Sequence, residues 1–271
     1  MYGIYTNAQG LLNNLNKIEI IMELRNPEFI ILSETHLTND VEENEYQLLN
    51  YKHYVTLSNS SRTGGVLLYI KREWKVEKLH EKVANSKYWM SAYKVENKST
   101  ILIIMAVYRS PACREVEFCE AFDEITENIC ETNLEIIIAG DFNIDWRKNN
   151  TYKNRIQATL NDNGLNQIVT EYTRVTENTK TLIDFVITNS INVSAKNNGE
   201  NKIADHEAID INIKNKNFIE STKKEIEIFK YNKNLFRTEV RKNTDKNENK
   251  SLSEMTYNID NCLENAIKNS Q

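Results

Sequence analysis

Chemically useful side chains recur at the ends of apolar stretches in this 271-residue chain. The sharpest case is residues 136–146, IIIAGDFNIDW. Three isoleucines and an alanine read as a short strand buried on both faces. Gly140 permits an unusual turn or close approach at the strand's end. Asp141 and Asn143 then place a carboxylate and an amide two residues apart. That pair suits a general base beside a donor for phosphate. Other apolar runs end in kind. Asn7 closes residues 3–6, Glu34 follows 29–32, and Tyr108-Arg109 closes 100–108. Asp184 lies inside the apolar run 182–187, where a carboxylate needs a partner. His206, in Ala204-Asp205-His206 before the final strand, can supply it. Singly, each residue has an ordinary reading as a cap, an edge residue or a satisfied carboxylate. Together they make oxygen ligands for a hard cation, a base, an amide, a phenol and a carboxylate-paired histidine. That inventory fits metal-assisted phosphodiester hydrolysis.

The elements that must position these groups follow from apolar spacing. Residues 14–25 predict a helix, with Leu15, Ile18, Ile21, Met22 and Leu24 at helical intervals, stopped by Asn26-Pro27. Residues 113–132 predict a second helix, with Val116, Cys119, Phe122, Ile125 and Ile129 inward, and 152–163 a third, closed by Gly164. Strands are expected at 51–57, 65–70, 74–79, 88–95, 100–108 and 208–213. A hairpin is expected from 169–175 and 181–188 around the polar turn 176–180. His36 and His53 have no partner visible in sequence and read as packing residues. Many short strands with few helices indicate an α/β architecture of two packed sheets.

Charge divides the chain. Residues 214–271 hold 12 Lys and Arg against 9 Asp and Glu, leaving 22 against 30 in residues 1–213. So acidic a body does not hold nucleic acid by bulk charge. A bound divalent cation is a local remedy. The four cysteines contain no C-x-x-C pair, which argues against a zinc or disulfide framework. No signal peptide is evident, and the apolar run 101–107 is too short for a membrane span. Lys, Glu and Asn dominate from 214 onward, so 214–271 reads as a polar linker with helical pieces at 235–240 and 252–267. The first strand begins almost at Met1, so upstream sequence is expected.

Seven motifs carry a resemblance in order: TNAQGL at Asn7, LSETHL at Glu34, GGVLLYIK at 64–71, VYRSP at Tyr108, IAGDFN at Asp141, TLIDFVIT at Asp184, and ADH at 204–206. Residues 1–213 resemble the endonuclease/exonuclease/phosphatase family, and within it the apurinic-type endonuclease domains of non-LTR retrotransposons. The resemblance implies a four-layer α/β/β/α sandwich, DNase I-like. It implies Mg²⁺, or Mn²⁺, at Glu34 with Asn7 and Asp205 near it. Asp141 would activate water, Asn143 hold the scissile phosphate, and Tyr108 support the transition state or leaving group. His206, fixed by Asp184, would stabilise developing charge. The implied activity is a DNA nick leaving a 3′-hydroxyl that primes reverse transcription. A reverse transcriptase domain of the parent element is the implied partner, and the nucleus the implied location. DNA contacts are expected from Arg109 and from the hairpin at 173–181 through Thr173, Arg174 and Lys180, reaching a minor groove. Ala204 departs from the Ser or Thr usual before Asp-His. Alternatives on this fold are a phosphatase, an RNA nuclease, or a catalytically weakened interaction domain.

Overall fold

The computed structural model describes residues 1–203 and 205–214. Ala204 and the helical pieces expected at 235–240 and 252–267 lie outside the described residues. Along the chain run β1 (Tyr2–Asn7), α1 (Leu11–Arg25), β2 (Phe29–Ser33), β3 (Tyr51–Thr56), β4 (Val66–Lys71), β5 (Lys75–Ala84) and β6 (Tyr88–Glu96). Then come β7 (Ile101–Arg109), α2 (Glu115–Cys130), β8 (Glu135–Asp141), α3 (Thr151–Asp162), β9 (Asn166–Gln167), β10 (Arg174–Val175) and β11 (Lys180–Thr181). The last strands are β12 (Asp184–Thr188), β13 (Val193–Asn198) and β14 (Ala208–Ile213).

Two six-stranded mixed sheets result. One has the order β13-β14-β1-β2-β4-β3 and the other β5-β6-β7-β8-β12-β9. Only β1–β2 and β7–β8 are parallel pairs among the described strands of these sheets. Alternation along each strand gives every sheet two buried faces. Tyr5, Phe29, Ile31, Trp89, Tyr108, Ile137 and Val186 pack between the sheets. Ile18, Ile21 and Met22 of α1 cover the first sheet through Ile4, Ile30 and Leu32. Phe118, Phe122 and Ile125 of α2, with Ile156 and Leu160 of α3, cover the second through Ile103, Met105 and Ile138. The layers are therefore α/β/β/α, as the resemblance implies.

Several local expectations change. Val116 is exposed, and Phe118 takes the inward place in α2. Leu24 is exposed at the end of α1. Cys113 precedes α2, which holds Cys119 and Cys130. The strand expected over 169–175 shrinks to β10, and β13, polar in composition, forms an unexpected edge beside β14. Its hydrogen bonds, not its side chains, define it, which is why apolar periodicity missed it. Gly140 answers a packing need. A Cβ there would sit 2.1 Å from the Val107 carbonyl oxygen on the parallel neighbour β7. None of the described helices is long and apolar enough to cross a membrane.

Candidate active site

Strand register brings the distant motifs to one sheet mouth. Asn7 lies beside Ser33, one residue before Glu34. Tyr108 lies beside Asp141, and Asp141 opposite Asp184. β1 and β2 pack over β7 and β8, so the two sheets face each other through these ends. Three side-chain bonds cross the gap. The Asn7 amide donates to Asp141 Oδ2 at 3.0 Å, the Tyr108 phenol to Glu34 Oε1 at 2.5 Å, and the Tyr5 phenol to Asp184 Oδ1 at 2.7 Å.

Asp184 is fully buried, and its second oxygen lies 2.7 Å from His206 Nδ1. Its need for a partner, expected from sequence, is met twice. With Nδ1–H donating to Asp184, the His206 Nε2 edge remains, 3.7 Å from Asp205 Oδ1. Asp141 accepts from the Asn143 backbone N–H at 2.9 Å as well as from Asn7. Asn143 has a positive φ of 49°, and its amide donates to the Arg109 carbonyl at 2.6 Å. Glu34 and His36 also adopt left-handed backbone, at φ 51° and 58°. Such residues persist where surroundings over-determine them. Here the Thr35 and His36 N–H groups donate to the Gly65 and Gly64 carbonyls.

The charges are crowded. Burial and the neighbouring Asp184 push the Asp141 carboxyl well above its ordinary value, despite the opposing pull of His206. Burial would also raise Glu34, but hydrogen bonds from His36, Tyr108 and Asn7 bring it below its ordinary value. Burial lowers His206, but Asp184, Asp141 and Asp205 outweigh it and lift the imidazole to about 9. It is therefore cationic at neutral pH. Burial and Glu34 keep the Tyr108 phenol protonated.

The structure gathers Asn7, Glu34, Tyr108, Asp141, Asn143, Asp184, Asp205 and His206, all expected from sequence. It alters two readings. Arg109 is buried, and its guanidinium donates to the carbonyls of Phe142, Asn143 and Cys113, so it ties the loop after β8 and offers nothing to DNA. Thr173 is buried too, its hydroxyl accepting from the N–H groups of Ile183 and Asp184. Asp205, expected near the metal with Asn7 and Glu34, has its two oxygens on Arg174 and Gln9. His36, read as a surface or packing residue, lies close enough to Glu34 to help lower its carboxyl. Arg174 is half-buried and Lys180 exposed on the hairpin. Sequence reading missed Tyr5, Ser33 and Thr63. Tyr5 was within reach, since it shares Asn7's strand face two residues away. Its phenol also lies 2.9 Å from Ser33 Oγ. Thr63 Oγ1 lies 3.3 Å from the Tyr108 hydroxyl.

Asp141, Asp184 and His206 place potential ligand atoms within 4.8 Å of one another, all buried. The carboxylates of this cluster suit a divalent metal ion, while His206, cationic and bonded to Asp184, is not a donor to it. Asp184 and Glu34 both raise Asp141 by repulsion, and an added cation relieves that strain.

Residues 102–210 match the family model described as endonuclease-reverse transcriptase. No curated protein sequence matches. Among solved structures, the endonuclease domain of TRAS1, a telomere-specific non-LTR retrotransposon, is similar with a TM-score of 0.63 and 10% identity, over 79% of this chain and 98% of that one. The AP endonuclease LMAP from Leishmania major gives 0.63 and 13%, over 79% and 87%. D. rerio TDP2 complexed with a single-strand DNA product gives 0.57 and 14%, over 79% and 98%. Identities this low speak for the fold alone, and the segment that matches the family model spans under half of the chain. The chain therefore has the fold of the endonuclease/exonuclease/phosphatase enzymes, and its ordered motifs resemble theirs.

Proposed function

We propose that this protein is a metal-dependent DNA endonuclease of retrotransposon origin, nicking a phosphodiester to leave a 3′-hydroxyl for reverse transcription. The observation that carries the reading is the cross-sheet network joining Asn7, Glu34, Tyr108, Asp141, Asp184 and His206 at one mouth. Asp141, held by Asn7 and the Asn143 N–H, takes a proton from the attacking water. Cationic His206, held by Asp184, donates from Nε2 to a non-bridging phosphate oxygen as charge develops. The Asn143 amide has one N–H engaged by Arg109 and one left for the phosphate. Tyr108, protonated and oriented by Glu34, donates to the leaving O3′ as the P–O3′ bond breaks. Glu34, with Asn7 and Asp141 beside it, would hold Mg²⁺ or Mn²⁺. Such an ion supplies Lewis-acid stabilisation of the charged phosphoryl group. A reverse transcriptase encoded with this chain, and a nuclear site of action, belong to the same proposal.

The test is nicking of supercoiled plasmid by the full chain. Mg²⁺ should support it and EDTA abolish it. Asp141→Asn and His206→Gln should each lower the rate by roughly 10²–10⁴-fold. Extension from the nick by an added polymerase, without prior end repair, reads out the 3′-hydroxyl. Full nicking by the Asp141 variant, or nicks that no polymerase extends, would overturn this assignment.

A further inference from the structure

Arg174 opens the hairpin β10–β11, which pairs Arg174 with Thr181 and Val175 with Lys180. The root of that hairpin is bonded into the active centre on two sides. Arg174 forms an isolated backbone bridge with His206, and the Thr173 carbonyl accepts from the Glu207 N–H at 2.6 Å. The Thr173 hydroxyl accepts from the Asp184 N–H at 3.0 Å. Arg174 is thus placed by the same strands that place the His206–Asp184 pair.

Its side chain is incompletely engaged. Nε donates to Asp205 Oδ2 at 2.9 Å. Neither Nη nitrogen has a hydrogen-bond partner among the described residues, so four N–H donors stay open there. The pair is 42% and 33% exposed, and ion pairs so exposed contribute little to stability. Fold stability is therefore a weak reason for it. Asp205 is itself held from the other side by Gln9. Nearby cations are otherwise occupied. Arg109 faces carbonyls, Lys202 pairs with Glu207, and Lys17 donates to the Ile203 carbonyl. Arg174 alone among the described Lys and Arg residues is ion-paired to Asp205, beside His206. Burial works against its charge, but Asp205, Asp141 and Glu34 outweigh it, so the guanidinium lies within the field of the centre. A planar fork with open donors matches phosphate oxygens.

We propose that Arg174 is a phosphate-binding residue of this site, aimed by Asp205, and that its open Nη donors take the phosphodiester flanking the one that is cut. This rests on the DNA endonuclease reading above. It also assigns Asp205 a positioning role through Arg174. The hairpin root then belongs to the catalytic floor, and only its tip is free to choose a target.

The test uses the full chain and a duplex oligonucleotide with a mapped nick site. Binding is followed by fluorescence anisotropy in EDTA, where no cleavage occurs, at several salt concentrations. Arg174→Ala should weaken binding about ten-fold and reduce the slope of log affinity against log salt by about 1. With Mg²⁺, KM should rise while kcat stays within about three-fold, and Arg174→Lys should recover part of the binding. A neutral methylphosphonate at the flanking phosphate should cost the parent protein the same ten-fold and cost Arg174→Ala nothing further. Asp205→Asn should give a smaller KM increase. Melting curves of each variant without metal establish that it is folded. An Arg174→Ala protein with parental affinity and salt slope, or one additively weakened by the methylphosphonate, would overturn the inference. An Asp205→Asn protein with parental KM would overturn the role given to Asp205. A parent protein that neither nicks nor binds DNA would instead defeat the endonuclease reading itself.

Discussion

Individual side chains at this centre are defined by their second partners. Asp184 can orient His206 because Tyr5 holds its other oxygen, and Asp141 is aimed because Asn7 and the Asn143 N–H hold both of its own. The charged imidazole is part of this arrangement and makes stability depend on pH. His206 has a folded pKa of about 9 against an ordinary 6.5. The unfolded chain therefore binds fewer protons between these values, and stability falls as pH rises through that window. The contribution is fully present below pH 6.5 and lost above 9. Urea unfolding in EDTA from pH 6 to 10 should show this decline in the parent, and His206→Gln should flatten it. A parent curve as flat as that of the variant would mean the imidazole is not charged in the folded state.

Elements matter here through how closely they approach. The parallel contact of β7 and β8 sets Tyr108 beside Asp141, and it requires Gly140. Gly140→Ala would force a methyl against the Val107 backbone, which cannot swing away as a side chain can. We expect a loss of roughly 2–4 kcal/mol or failure to fold, measured by urea denaturation. The hairpin makes the opposite prediction at its tip. Thr176 and Thr179 bond to each other and are exposed, and nothing at positions 176–180 touches the catalytic groups. Replacing 176–180 with Gly-Ser residues should redistribute nicks on a long duplex while leaving the rate on a minimal substrate within about three-fold. An unchanged nick pattern would remove the hairpin tip from target choice.

At the scale of the molecule, the acidic body and the crowded carboxylates would make a bound divalent ion an electrostatic component of the fold. Under the proposed function, an ion held by Glu34 and its neighbours would bind only the assembled sheets. It should therefore raise the melting temperature with increasing Mg²⁺, by mass action. Glu34→Gln should weaken that response with little change in the metal-free melting temperature. A melting temperature indifferent to Mg²⁺ in the parent would refute a folded-state metal site. For the proposed DNA endonuclease, the same net negative charge implies a shallow salt dependence of binding, set by a few local contacts.

Sequence alone determined the strand and helix inventory, because apolar periodicity is a local property that burial on a sheet or helix face imposes. It also determined the list of polar residues at strand ends, and the ordered motifs pointed to the family. Strand ends without an apolar signature escaped it: β13 is polar, and the early end of the 169–175 stretch is set by partners elsewhere. Only the tertiary structure decided what each site residue touches. Arg109 and Thr173 look like surface donors in a linear reading, and both turned inward to satisfy backbone groups that the loops leave open. Asp205 looks like a carboxylate for a cation, and it faces Arg174. The reason is that register and sheet packing are long-range. They set which residues meet across more than a hundred positions of chain, as Asn7 meets Asp141.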